Sequence, residues 1–467
     1  MAKSVTGFSR GPKRKTAATK NRRAVNGDSN RLYPEDRPVH DWYRFVLSFP
    51  PHLVRDYLQR FGVNNDHLVL DPFCGTGTTL VECKKLGISS VGIEANPIAC
   101  FASQVKVDWS VDPDGLVRHA LQVADAAFAE LETQEIDDES LPLFRRFKHQ
   151  GHESLRKLPP EKETLLLKDS ISPLPLHKVL VLLDYLRKFF DERYSRHELL
   201  ALAKSLVYSI SNLQFGPEVG ISPAKSDAPV VATWLSGLRA MAEDLRVLQG
   251  VQSGSAMVYN ADSRQIRGLL KSNSVDVVFT SPPYPNEKDY TRTTRLESVL
   301  LDFIRDRKEL QGLKRTLVRS NTRGVYKNDD DDKWVTGHSE IERLAKAIEQ
   351  RRLALGKTSG FERLYPRVTK LYFGGMTRHL AELRDILSPG AQLAYVVGDQ
   401  ASYLRIMIRT GRLLADIAQS LGYELIGIEL FRTRLATATR EQLREEVVVL
   451  RWPSKKRIPR KRLRSTA

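Results

Sequence analysis

Short apolar runs that stop abruptly at polar or turn-forming residues recur along this chain and set its expected architecture. His67-Leu-Val-Leu70, Ser89-Ser-Val-Gly-Ile-Glu94 and Val275-Asp-Val-Val-Phe279 are brief and rich in aliphatic and β-branched residues, which predicts buried strands. Thr79-Leu-Val-Glu-Cys-Lys-Lys-Leu86, closed by Gly87, predicts a helix between the first two. Near the C-terminus an amphipathic helix over 410–422 precedes two runs, 423–431 and 445–452, that can pair as an antiparallel edge hairpin. Strands thus fall near residues 67, 89, 256, 275, 391, 423 and 445, with helices between most of them. The expectation is an α/β fold: a doubly wound, seven-stranded mixed sheet with helices on both faces and helical insertions.

Two long stretches interrupt the pattern. The first, 108–255, is mainly helical, with blocks at 175–187, 197–211 and 230–248, an acidic piece at 131–139 and a basic one at 145–148. Between its last two blocks lies a Gly/Pro-rich loop, 212–226, which can face a nucleic acid or its target base but better suits a surface loop on a structural helical insert. The second, 296–370, follows Arg292 and Arg295 and carries Lys314, Arg315, Arg319, Arg323 and Lys327 before Asp329-Asp-Asp-Asp332. Its basic half is the first choice for contacts with a nucleic-acid duplex; the acidic run is expected to be a solvated loop. The sheet segments are then 33–107, 256–295 and 371–452, flanked by basic tails at 1–32 and 453–467.

Charge sharpens the reading of those tails. Of the formal net charge of +17 over 467 residues, eight units sit in 1–32 and eight in 451–467, so the body between is nearly neutral. Both ends are poor in apolar residues and are expected to be disordered. They can attract phosphate non-specifically or merely solubilise the chain, and such runs also resemble nuclear import signals. No apolar run is long enough for a membrane span or follows the N-terminus as in a secretory signal. Cys74, Cys83 and Cys100 have no metal-ligand spacing, so no metal is expected and a reducing, cytoplasmic compartment is the economical reading. The ten histidines are scattered and make no catalytic case; His40 and His52 read as packing or polar contacts.

The candidate chemistry lies where the predicted strands end. The first runs into Asp71-Pro72-Phe73-Cys74-Gly75-Thr76-Gly77-Thr78, whose glycines let the backbone bend and approach a ligand. Glu94, ending the next strand, sits where a ribose diol is gripped. A third glycine is missing from the expected place and no Gly-Lys-Ser/Thr follows, so neither a dinucleotide nor a P-loop nucleotide fits well. The strand ending at Phe279 leads into Thr280-Ser281-Pro282-Pro283-Tyr284. Its prolines remove two N–H donors and are expected to hold the loop carbonyls outward as acceptors. Acceptors beside the flat ring of Tyr284 suit a planar base bearing an exocyclic amine.

Together these segments resemble the S-adenosylmethionine-dependent amino-methyltransferases of DNA, and the resemblance covers about 40–105, 255–300 and 370–452. Asp71–Thr78 is similar to their cofactor motif, and Ser281-Pro282-Pro283-Tyr284 to their catalytic motif in its cytosine-N4 form; adenine-N6 enzymes more often begin it with Asp or Asn. The segment 40–52, with Phe49, is similar to the one that closes over the methionine part, Asp262 to the acid that contacts adenine, and 387–399 to the fifth strand with its entry turn. The resemblance implies a class I, Rossmann-like methyltransferase fold, with S-adenosylmethionine held by Asp71, Phe73, Gly75, Gly77, Glu94, Asp262 and Phe49. It implies Ser281, Pro282, Pro283 and Tyr284 as catalytic residues acting on double-stranded DNA, with restriction or defence subunits as possible partners and a nucleoid-associated location. Methylation of adenine N6, of an RNA base amine, or a decayed fold that only binds DNA are the other readings. No Pro-Cys pair of the carbon-5 type is present, so no covalent enzyme intermediate is expected.

Overall fold

The computed structural model describes residues 32–454, except 46–47, 139–154, 216–218, 287 and 436–441. The basic tails lie outside the described residues apart from their innermost positions, as does the basic piece at 145–148. The expected sheet is present. Its strands are β1 (Leu68–Asp71), β2 (Ser89–Glu94), β5 (Ala256–Asn260), β6 (Val275–Thr280), β7 (Leu387–Gly398), β8 (Glu424–Leu435) and β9 (Gln442–Arg451); β3 (Leu213–Phe215) and β4 (Val219–Ile221) form a separate hairpin. The spatial order is β5-β2-β1-β6-β7-β9-β8, with β9 antiparallel to both neighbours and the other pairings parallel.

This order places the site. From β1 the chain winds outward through β2 to β5, then returns to the other side of β1 as β6 and continues to β7. The winding direction reverses between β1 and β6, so their outgoing loops part and leave a crevice at the carboxyl edge. Both candidate loops leave from those two strands. The entry turn expected at 387–390 is instead the start of β7, joined to β6 through a register shift between Val275 and Val277.

Strict alternation along the central strands sorts the core into two faces. Val69, Val277, Phe279, Val396 and Val449 point toward the helix Pro51–Arg60. Leu70, Val278, Leu393, Tyr395 and Val448 point toward the helices Gly360–Leu383 and Thr410–Ser420. Each fully buried aliphatic side chain contributes roughly 1.5–3 kcal/mol, and a one-residue slip would exchange the faces. Helices Pro113–Thr133, Pro173–Lys188, Ser195–Ser205 and Val231–Leu248 pack into a further core continuous with the helix Pro97–Lys106.

The acidic run 329–332 is not the solvated loop its composition suggested. Asp331 is buried and pairs with Arg264 and Arg378, while Asp329 pairs with Arg319. The helix Gly360–Leu383 admits this segment through Gly374: a Cβ there would lie 1.9 Å from the Asp331 carbonyl oxygen. A missing side chain on one element thus lets a charged backbone segment settle on it, which local composition does not reveal.

Candidate active site

Asp71 ends β1 fully buried, and its Oδ1 accepts from Thr280 Oγ1 at 2.6 Å and from the Phe73 N–H at 3.2 Å. Thr280 ends β6. One hydrogen bond therefore ties the entry of the glycine loop to the entry of the Ser-Pro-Pro-Tyr loop, and Thr79 Oγ1, donating to the Phe279 carbonyl at 3.5 Å, adds a second tie. Asp71 Oδ2 finds no partner among the described residues, and burial raises the carboxyl pKa to about 6. Such an orphaned acceptor beside a ligand loop is a feature a bound polar group can satisfy.

The glycine loop adopts left-handed backbone at Gly75 (φ +52°) and Gly77 (φ +83°). At Gly77 an added Cβ would come within 2.9 Å of Ser103 Oγ and 3.2 Å of Ser103 Cα. Gly77→Ala therefore combines a strained φ with a contact against backbone, a cost on the order of 1–3 kcal/mol. We expect a lower thermal midpoint and weaker cofactor binding; calorimetry that found both unchanged would show that the loop relaxes freely.

Glu94, at the end of β2, accepts the Gly75 N–H on Oε2 at 2.9 Å and the Asn96 N–H on Oε1 at 2.8 Å. Burial, only partly offset by these donors, raises its pKa to about 7. Each oxygen keeps a further lone pair, which suits two adjacent ribose hydroxyls. The space in front of Gly75 is bounded by Phe45, whose Cδ2 lies 3.9 Å from where a Cβ would stand. The donor and acceptor set, the orphaned oxygen of Asp71 and the bare glycine backbone fit a nucleoside bearing an amino-acid arm.

Two proposed cofactor residues are engaged elsewhere in this structure. Asp262 accepts from Arg264 through Nε at 3.0 Å and Nη2 at 2.7 Å, so its carboxylate is already neutralised. Phe49 packs on Phe279, with ring centroids 5.5 Å apart, while Phe45 of the same segment stands at the glycine loop. Phe73 meets the ring of His379 edge-on at 4.8 Å.

Ser281 donates its hydroxyl proton to the Val396 carbonyl of β7 at 3.0 Å. With the proton committed, its oxygen is left as an acceptor. The expectation that the loop carbonyls all face outward needs correcting: the Pro283 carbonyl accepts from Tyr372 Oη at 2.8 Å. Pro282 is buried. The Tyr284 ring lies on Gly398, where a Cβ would stand 3.0 Å from its Cε2. Burial and then nearby Glu445 hold the phenol pKa far above its usual value, so it stays protonated.

The sequence reading missed the residues that brace these loops. Tyr372 holds Pro283, and His379 bridges the Ser263 carbonyl (2.9 Å) and Tyr395 Oη (2.8 Å) while touching Phe73. Burial lowers the His379 pKa to about 4, so it acts as a neutral strut. Both sit on one helix, roughly ninety residues beyond the Ser-Pro-Pro-Tyr motif and three hundred beyond the glycine motif, where no local signal marks them. Of the basic residues favoured for duplex contacts, Arg295 and Arg319 are buried and bonded internally and Lys314 pairs with Asp289 at 3.0 Å; Arg315, Arg323 and Lys327 remain exposed.

Among the described residues no cluster of three or more His, Cys, Asp or Glu side chains could hold a metal ion, and no helix is long and apolar enough to cross a membrane. Residues 10–104 match the family described as DNA methylase, of the N6/N4 kind. The chain is 26% identical to the Type II methyltransferase M.BsoBI of Geobacillus stearothermophilus, over 93% of this chain and 87% of that protein. It is 24% identical to the Type II methyltransferase M.AvaI of a Nostoc strain, over 90% and 87%. A shorter stretch of 69 residues, 15% of this chain and 13% of the relative, is 41% identical to the Type II methyltransferase M.MjaII of Methanocaldococcus jannaschii.

Proposed function

The chain belongs to the N4/N6 family of DNA methylases, and from that premise we propose that it methylates the exocyclic N4 amine of cytosine in duplex DNA, as the modification enzyme of a Type II restriction system. The family's methyl donor is S-adenosylmethionine, which supplies an electrophilic sulfonium methyl when bound. Glu94 would hold its ribose, and the backbone at Gly75 and Gly77 would approach its amino-acid arm. Asp262 would take the adenine amine only by sharing its carboxylate with Arg264.

The observation that carries the choice of target is Ser281. Its proton is held by Val396 O, so the acceptor it offers is a neutral hydroxyl oxygen and not a carboxylate. An aromatic amine is a poor nucleophile because its lone pair is delocalised into the ring. Ser281 Oγ, accepting one N–H, favours a more pyramidal nitrogen and orients its lone pair. Tyr284 stacks on the base, which must leave the duplex to reach the loop. The insertions 108–255 and 296–370 supply the DNA-reading surface in this proposal, and the setting is cytoplasmic, where the DNA and any partner restriction subunits are.

Mass spectrometry of nucleosides from DNA of cells producing the protein tests this directly. N4-methylcytosine is the expected product. N6-methyladenine would overturn the base assignment and leave the family intact, whereas 5-methylcytosine, or methylated RNA with unmodified DNA, would overturn the reading of the loop.

A further inference from the structure

The carboxyl end of β5 opens into a second cavity, of about 530 Å³, roofed by the segment 314–331. That segment is bound to the catalytic edge near its start and again at its middle. Arg264, just beyond β5, donates to the Arg315 carbonyl at 2.9 Å, and Asn321 Nδ2 donates to the carbonyl of Lys288, a few residues beyond Tyr284, at 3.1 Å. The cavity is thus linked to the candidate site through Arg264, which lines it and also holds Asp262 at 2.7 Å.

Its lining is cationic: Arg264, Arg315, Arg319, Lys327 and Arg378 face Asp329, Asp330 and Asp331. The acids are spoken for. Asp331 pairs with Arg264 and Arg378, Asp329 with Arg319 at 2.7 Å, and Asp330 with Lys333 at 3.4 Å. Arg315 and Lys327 are exposed and have no acidic partner among the described residues. Arg315 is not loose, however. Its guanidinium lies 5.2 Å from the centroid of Tyr326, a ring that Arg319 also approaches at 5.7 Å. A guanidinium held on an aromatic ring at the rim of an open, cationic cavity is prepared for an oxyanion with at least two acceptor oxygens.

Resting on the methylase reading above, we infer that this cavity seats a backbone phosphate of the DNA substrate, gripped by Arg315 and Lys327, on the same edge as the catalytic loop. The contact positions the strand and carries no sequence information of its own. It narrows the basic half of 296–370 to the two exposed cations that line the cavity; Arg319 and Lys314 are paired with acids, and Arg323, also exposed, lies against the Phe361 ring outside it.

The test uses the full chain, a duplex containing the target site, and the variants Arg315→Ala/Lys327→Ala and Arg315→Lys. For the double variant, duplex affinity should fall about tenfold or more, and the slope of log affinity against log salt should become shallower by about one, since one neutralised phosphate contributes roughly 0.9. S-adenosylmethionine affinity should not change, and Arg315→Lys should keep most of the salt slope. Methylphosphonates placed one at a time around the target should weaken the parent at one position and leave the double variant indifferent there. An unchanged salt slope in a double variant of an active parent overturns the phosphate site alone. Inorganic phosphate that competes at the cavity while no methylphosphonate has an effect makes it a free-anion site and overturns the inference too. A parent that binds no duplex overturns the methylase reading along with it.

Discussion

Ser281→Ala will lower the methyl-transfer rate by about a hundredfold or more, the usual scale for losing one oriented acceptor or donor that acts mainly in the transition state. The structure explains why so small a change should matter. The hydroxyl is fixed by its bond to Val396 O, so its oxygen needs no reorganisation when the amine arrives. Alanine removes that oxygen and leaves the backbone free to stay, because the loop is braced independently by Thr280 on Asp71 and by Tyr372 on Pro283. Tyr284→Ala should be comparably severe, since it removes the stacking ring and opens a void over Gly398. Tyr284→Phe should be milder, because the ring remains and the neutral phenol supplies no base. Cofactor affinity should be unchanged in all three. Single-turnover rates with pre-bound cofactor are the measurement; near-parental rates for Ser281→Ala would remove Ser281 from the chemistry.

The second large effect belongs to Glu94. Glu94→Ala should weaken S-adenosylmethionine binding by tens of fold, on the order of 2 kcal/mol for a charge-assisted hydrogen bond lost at a partly buried site. The pH profile is the more telling readout. Burial raises the Glu94 pKa to about 7 from an ordinary 4.5. A carboxyl whose folded pKa is raised contributes stability that is present below the unfolded pKa and is lost as pH climbs through the folded one. Ribose hydroxyls donating to the carboxylate favour its ionised form, so bound cofactor should pull the pKa back down. Cofactor affinity should therefore rise from about pH 5.5 through pH 7 and level off only above it, with proton release on binding that fades as pH climbs past 7. Glu94→Gln should bind weakly with a flat profile over that window. A Gln variant that keeps the parental slope would assign the titration to another group, with Asp71, at about 6, the first to examine.

The seven strands, their approximate positions and the two loops proposed to carry the chemistry were legible in the sequence, because each rests on a local rule. Short apolar runs such as 67–70 and 275–279 mark strands. Glycines at 75 and 77 mark a backbone turned left-handed, and a Pro-Pro pair after a strand marks a chain held open. None of these needs a distant partner. The assignment of Glu94 to the end of β2 is local in the same sense.

What the sequence could not supply is everything that depends on which side chain meets which across the fold. Composition made 329–332 a solvated acidic loop and 314–327 a basic surface, yet Asp331 is buried against Arg264 through the space left by Gly374, and Arg319 is spent on Asp329. Asp262 was legible as an acid at a strand end, and only packing showed that Arg264 already occupies it. The ties between distant segments, Asp71 to Thr280 and His379 between Ser263, Tyr395 and Phe73, join residues up to about three hundred positions apart. Local chemistry determined which elements form and which loops can react, because those choices follow from backbone sterics and the burial of each segment's own apolar face. Tertiary structure alone decided which charges are neutralised and which remain for a substrate, because pairing depends on distances that no stretch of chain contains by itself.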